Sequence, residues 1–262
     1  MPTTPILHVE QLDAYYGPIQ ALRGIDLTIE EGERIALVGA NGAGKTTTLR
    51  TISGIIAPRR GTIAFQGKPI HGLRPNQVVQ LGVAHLPEGR ELFSGLSVED
   101  NLRAGFWSQR RSGKAYTERR DAVMDLFPIL RERATQAAGT LSGGEQQMLG
   151  VARALMSTPK LLLVDELSLG LAPKIVAQLF EILNEINSQG TALMIVEQFV
   201  HMALGNTDRA YVLAKGEVAL TGASRDLLAD PNLTATYLGE GAAPATAPPR
   251  RRSSRHETAA RS

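Results

Sequence analysis

Hydrophobic positions along this chain change period twice. Between Ile6 and Val38 they fall in short strand-like runs, Ile6 to Leu12, Gly24 to Ile29 and Arg34 to Val38, parted by polar turns such as Glu30-Glu-Gly-Glu33. Tyr15-Tyr16-Gly17 reads as an interruption of the first run. Lys45 to Ile52 holds no Gly or Pro and predicts a helix. Gly61 to Phe65 then predicts a strand, Pro75 to Leu81 a short helix, and Val83 to Leu86 a strand ending at Pro87-Glu88-Gly89. From Val98 to about Met156 the pattern turns helical, with helices over Val98 to Trp107, Thr117 to Phe127 and a third after Gly144. Beyond it, Leu161 to Val164 is a run of four apolar residues, as in a strand buried on both faces. Pro173 to Ser188 is amphipathic, with Ile175, Leu179, Ile182, Leu183 and Ile186 on one stripe. Ala192 to Val196 is a further buried strand, Arg209 to Ala214 and Glu217 to Thr221 form a hairpin about Lys215-Gly216, and Ala223 to Leu238 predicts a helix. The fold class is therefore α/β: a mixed sheet with flanking helices, an N-terminal β region, and an all-helical insertion standing off the main core.

Composition narrows the possibilities. A chain of 262 residues, 43% hydrophobic, can bury one substantial core without crosslinks. It has no cysteine, which excludes disulfides, thiolate nucleophiles and Cys-ligated zinc. No apolar run reaches the ~18 residues that span a bilayer, and Met-Pro-Thr-Thr-Pro does not read as a signal peptide, so a membrane role is expected to run through a partner. From Ala242 onward there are five Arg against one Glu, a net +4, whereas the whole chain carries +2; residues 1–241 thus carry −2. A body so balanced is not suited to nucleic acid, and none is expected as a partner. The expected organisation is one domain over 1–241, its helical part at about 89–156, and a disordered basic Pro/Ala/Arg tail over 242–262.

The chemistry centres on Gly39-Ala40-Asn41-Gly42-Ala43-Gly44-Lys45-Thr46, which fits the phosphate-loop pattern G-x-x-x-x-G-K-[ST] between a predicted strand and a predicted helix. Its glycines let backbone N–H groups close around an anion, and the helix start running into Thr47 adds its positive end. Lys45 reaches terminal phosphates and the Thr46 hydroxyl suits Mg²⁺. Asp165 and Glu166 end a buried strand, where ligands of parallel sheets bind; Asp165 is placed to hold Mg²⁺, and Glu166 to act as general base on water. Tyr16 is a candidate to stack on a purine or else to pack on a sheet edge. His71 and His85 have no second ligand at useful spacing and read as structural or solvated.

Leu141-Ser142-Gly143-Gly144-Glu145-Gln-Gln147, lying 95 residues after Thr46 and 18 before Asp165, resembles the signature of ATP-binding cassette (ABC) ATPases. The resemblance spans roughly residues 5–239. It implies a P-loop ABC-ATPase core with a helical signature subdomain and an N-terminal antiparallel β region. It further implies that Ser142, Gly143, Gly144 and Glu145, at a helix N-terminus, close on the γ-phosphate of ATP held by a second subunit. Tyr16 matches the adenine-stacking aromatic, and Ser168-Leu-Gly-Leu171 the loop that crosses that interface. Two positions depart from the common pattern. Glu88 stands where Gln usually senses Mg²⁺ and γ-phosphate, and Gln198 replaces the switch His; Gln198 hydrogen-bonds phosphate but cannot become cationic.

Pro87-Glu-Gly-Arg-Glu-Leu-Phe93, Val196-Glu-Gln198 and Ser168-Leu-Gly-Leu-Ala-Pro173 resemble one of the two ATP-binding subunits of branched-chain amino-acid importers, with Leu167 where that type usually has Pro, a change expected to loosen the loop. The resemblance implies an ATPase using ATP and Mg²⁺. Its partners would be a second cassette (identical or not), transmembrane permease subunits and, indirectly, an extracytoplasmic solute-binding protein, at the cytoplasmic face of the membrane. A groove near Glu88 to Leu102, with Leu92, Phe93 and Leu96, would receive the permease. A urea or short-amide importer, or a soluble non-transport ABC ATPase, is the alternative.

Overall fold

The computed structural model describes residues 4–89, 91–109 and 115–230. The chain opens with β1 (Leu7–Tyr16), β2 (Ile19–Ile29) and β3 (Arg34–Gly39), followed by α1 (Lys45–Ile52), β4 (Arg60–Phe65), β5 (Lys68–Pro69), α2 (Pro75–Leu81) and β6 (Val83–Leu86). A helical stretch follows: α3 (Val98–Gly105), α4 (Tyr116–Leu126), α5 (Pro128–Glu132) and α6 (Gly143–Leu155). The chain then alternates through β7 (Leu161–Asp165), α7 (Pro173–Ser188), β8 (Ala192–Val196) and α8 (Val200–Gly205) before β9 (Arg209–Ala214), β10 (Glu217–Ala223) and α9 (Ser224–Leu228).

Two sheets result. The smaller is antiparallel, in the order β2-β1-β4-β5; the larger runs β10-β9-β3-β8-β7-β6, parallel from β9 to β6, with β10 antiparallel at one edge. All five residues of β7 and of β8 are buried, so neither strand can sit at an edge. Their side chains alternate between two cores. Leu161, Leu163, Met194 and Val196 face the small sheet and α1, whereas Leu162, Val164, Leu193 and Ile195 face α3, α6 and α7. Each fully buried aliphatic side chain contributes ~1.5–3 kcal/mol, so this central pair is held by packing on both faces.

Most predicted elements are present; β2 begins earlier, at Ile19, β5 and α8 are additional, and four further differences stand out. The β1 ladder continues to Tyr16, opposite Ile19, with a register shift between Ala14 and Tyr15, and a further irregularity lies earlier, at Gln11 (φ 47°). There a bulge shifts the register between Val9 and Leu12, and the Gln11 N–H donates to the Asp26 carboxylate at 2.7 Å, so the break leaves no donor unpaired. On α7 the stripe is shifted: Val176 and Phe180 are buried and Ile175 only partly so. The helical stretch also holds α5, which begins at Pro128. The last predicted helix begins at Ser224 because β10 runs through Ala223; its expected end at Leu238, Arg90 and the basic tail lie outside the described residues.

His85, on β6, is structural. Its Nδ1 lies 3.2 Å from the Ser53 hydroxyl, while Nε2 is buried without a partner. Burial, with the nearby Arg50 cation, pushes its pKa down to about 4. The unfolded imidazole, near 6.5, takes up a proton where the folded one does not; the stability this neutral ring contributes is complete above pH 6.5 and is lost as pH falls towards 4. We predict that His85→Gln flattens the fall of melting temperature between pH 7 and pH 4.5; parallel curves for the two proteins would contradict this.

Candidate functional site

Parallel pairing brings the carboxyl ends of β3, β7 and β8 to one edge of the large sheet, and the functional residues gather there. β3 ends at Gly39 and the chain turns through the loop into α1. Gly44 caps that helix with φ 109°, and a Cβ there would lie 2.8 Å from Leu22 Cδ2, so glycine is required. No side chain caps α1, which leaves its first N–H groups to whatever enters the cleft. Lys45 Nζ donates to the carbonyls of Gly39 (2.9 Å) and Ala40 (3.2 Å), which arches the side chain back over the loop. Burial lowers the Lys45 pKa, opposed by the Glu166 and Asp165 charges.

A cleft of about 490 Å³ is lined by Tyr16, Asn41, Gly42, Gly44, Lys45, Thr46, Thr47, Glu88, Glu166 and Gln198, and also by Ala21, which the sequence reading did not single out. Asp165 lies beneath it, fully buried, with neither carboxylate oxygen in a hydrogen bond of acceptable geometry. Burial pushes its pKa up to about 6; the adjacent Thr46 hydroxyl opposes that rise, and the Glu166 and Glu88 charges add to it. An unpartnered buried carboxylate beside a hydroxyl is costly unless a cation joins it, and hard oxygen donors are what Mg²⁺ selects. Among the described residues no group of three or more His, Cys, Asp or Glu could hold a metal ion. Glu166, one residue beyond β7, is turned by φ 48° out of the strand direction into the cleft.

The second predicted anion site does not open into this cleft. Ser142 caps α6 in a capping box: its hydroxyl accepts from the Glu145 N–H at 3.4 Å, and the Glu145 carboxylate accepts from the Ser142 N–H at 2.8 Å. Glu145 also pairs with Arg133 at 3.1 Å, so capping and an ion pair occupy it. Ser142, Gly143 and Gly144 line a separate hollow with Gly170, Leu171 and Ile175, where a Cβ on Gly144 would lie 2.9 Å from Ile175 Cγ2. Leu167, where the resembled type has Pro, is packed in the core beside this hollow. It is fully buried, and Ser168 is held by the Glu197 carboxylate. Glu197 was missed as a functional candidate; its signal was an acid closing an all-apolar strand.

A third hollow, about 340 Å³, lies between the α2–β6 side of the sheet and the α3–α6 helices. Phe93 lines it and is 51% exposed, Leu96 is also exposed, and Leu92 packs partly buried against the core. Val79 and Trp107 complete it, beyond the span the sequence suggested.

A glycine cradle at the edge of a parallel sheet, with an unpartnered Asp165 beneath it and a serine-capped helix turned elsewhere, defines a nucleotide-binding cassette. The chain belongs to the ABC transporter family, whose model matches residues 22–168. It is 44% identical over 235 residues to the high-affinity branched-chain amino acid transport ATP-binding protein BraG of Pseudomonas aeruginosa, an alignment covering 89% of this chain and all of that one. It is 36% identical to the probable branched-chain amino acid transport ATP-binding protein LivF of Archaeoglobus fulgidus, over 85% of this chain and 94% of the relative. The ADP conformation of MJ1267, an ATP-binding cassette of an ABC transporter, superposes with a TM-score of 0.79 at 26% identity, over 91% of this chain and 100% of that structure.

Tyr16 sits at the mouth of the cleft, 45% exposed. Stacking of a base on such a ring is worth ~1–3 kcal/mol, so Tyr16→Ala should weaken binding of a fluorescent ATP analogue by about tenfold while Tyr16→Trp preserves it. Equal affinities of Tyr16→Ala and wild type would remove Tyr16 from the site.

Proposed function

We propose that this chain is the ATP-hydrolysing, energy-coupling subunit of an ABC importer for branched-chain amino acids. The observation that carries the reading is the convergence of Lys45, Thr46, Glu88, Glu166 and Gln198 on one cleft above Asp165; the near full-length similarity to branched-chain amino acid transport ATP-binding proteins supports the solute. Residues 1–241 act as one cassette. Two cassettes, identical or not, close face to face, so that the Ser142–Gly144 helix start of one meets the triphosphate gripped by residues 39–47 of the other.

Within each cleft the backbone N–H groups and Lys45 neutralise charge on the phosphates, and Glu166 takes a proton from the attacking water. Gln198 donates its amide N–H to the terminal phosphate. Mg²⁺, held by Thr46, Asp165 and Glu88, would supply charge neutralisation at the β- and γ-phosphates. No helix among the described residues is long and apolar enough to cross a membrane. The cassette works at the cytoplasmic face by docking on permease subunits, which take solute from an extracytoplasmic binding protein. The apolar hollow at Phe93 and Trp107 is the docking surface.

Replacing the base tests the chemistry: Glu166→Gln should lower ATP turnover in the purified complex by about a hundredfold or more while leaving ATP affinity within about twofold. An unchanged rate would reject Glu166 as the base. Phe93→Asp should leave nucleotide binding intact and abolish ATP-dependent leucine uptake into proteoliposomes, whereas retained uptake would move the docking surface elsewhere.

A further inference from the structure

Glu197 follows the last residue of β8 and is 1% exposed. A carboxylate taken out of water is costly unless its lone pairs are used, and here both oxygens accept from Ser168. Oε1 accepts from the Ser168 N–H at 3.0 Å, and Oε2 from the Ser168 hydroxyl at 2.6 Å. A third bond runs alongside, from the Glu166 N–H to the Val196 carbonyl at 2.9 Å. Segment 166–168 is therefore latched to the end of β8 at three points.

What lies on either side of the latch gives it a use. Gln198, the next residue after Glu197, is exposed in the nucleotide cleft. Ser168 opens a loop whose Leu169 is 47% exposed and whose Gly170 and Leu171 line the other hollow, with Ser142 and Gly143. Glu197 thus joins the strand end that carries a cleft residue to the loop that borders the opposite anion site.

We propose that Glu197 is a positioning residue that makes Gln198 and the Ser168–Leu171 loop move as one body, so that engagement of the terminal phosphate in a cassette's own cleft is passed to the surface facing its mate. This deepens the two-cassette reading above and rests on it. The link runs through two charge-assisted hydrogen bonds and bypasses the Glu166 side chain, so it can be cut without removing the base.

The chain has no cysteine, so Leu169→Cys accepts a single spin label on the loop. In the intact transporter complex, ATP should immobilise this label, and Glu197→Ala should abolish that response. Glu197→Ala should also lower kcat by about tenfold with KM within about twofold, the signature of an arrangement lost after binding. Glu197→Gln keeps the clamp, because its Oε1 accepts from the Ser168 N–H and its Nε2 donates to the Ser168 oxygen; it should retain the label response and kcat within about threefold. A label that still responds to ATP in Glu197→Ala, or a Glu197→Gln protein as impaired as Glu197→Ala, overturns the proposal. So does a loss of melting temperature with raised KM and unchanged kcat. A wild-type complex that does not hydrolyse ATP would instead overturn the reading beneath it.

Discussion

Parallel pairing of β3, β8 and β7 is the constraint on which the rest depends. The register aligns Leu37 with Val196 and Asp165 with Val196, so the phosphate loop, the paired carboxylates and Gln198 leave the sheet at the same level. The strands are buried on both faces and fixed by packing, which means that the groups beyond their ends are positioned before any ligand arrives. Packing fixes Asp165 fully buried and without a hydrogen-bond partner, a position whose cost shows in its raised pKa and which a bound cation would offset.

The same arrangement supports the proposal that two cassettes complete each site. A helix N-terminus attracts anions, and this chain has two that matter, the starts of α1 and α6. They line separate hollows with no residue in common. Under that proposal, a triphosphate at Lys45 is contacted by Ser142 of the mate and not by Ser142 of its own chain. Glu197 lies at the junction, tying the strand end above one hollow to the loop that borders the other.

Much of this was legible in the residues. α2, β6, β7, α7 and β8 have the bounds that their apolar runs and Pro or Gly punctuation suggest, because a central strand or a packed helix has little freedom to end elsewhere. The phosphate loop, Asp165, Glu166 and the serine-capped α6 were equally readable, since their motifs are short and local. The bulge at Gln11 was not: it is satisfied by Asp26, fifteen residues away and on another strand. Nor was the hydrogen bonding of Ser168 in the loop after Glu166. Its anchor, Glu197, is distant in sequence, and an acid at a strand end looks the same whether solvated or buried. The apolar hollow was half legible; Phe93 was visible, but Val79 and Trp107 join it only through tertiary packing.

The central claim is that nucleotide is held between two different surfaces contributed by two cassettes. A structure of the Glu166→Gln protein in its assembled complex, closed on ATP with Mg²⁺, tests this most directly. The account predicts the triphosphate lying against residues 39–47 of one cassette and the Ser142–Gly144 turn of its mate. A nucleotide enclosed by a single chain, with Ser142 remote from the face between the cassettes, would contradict it.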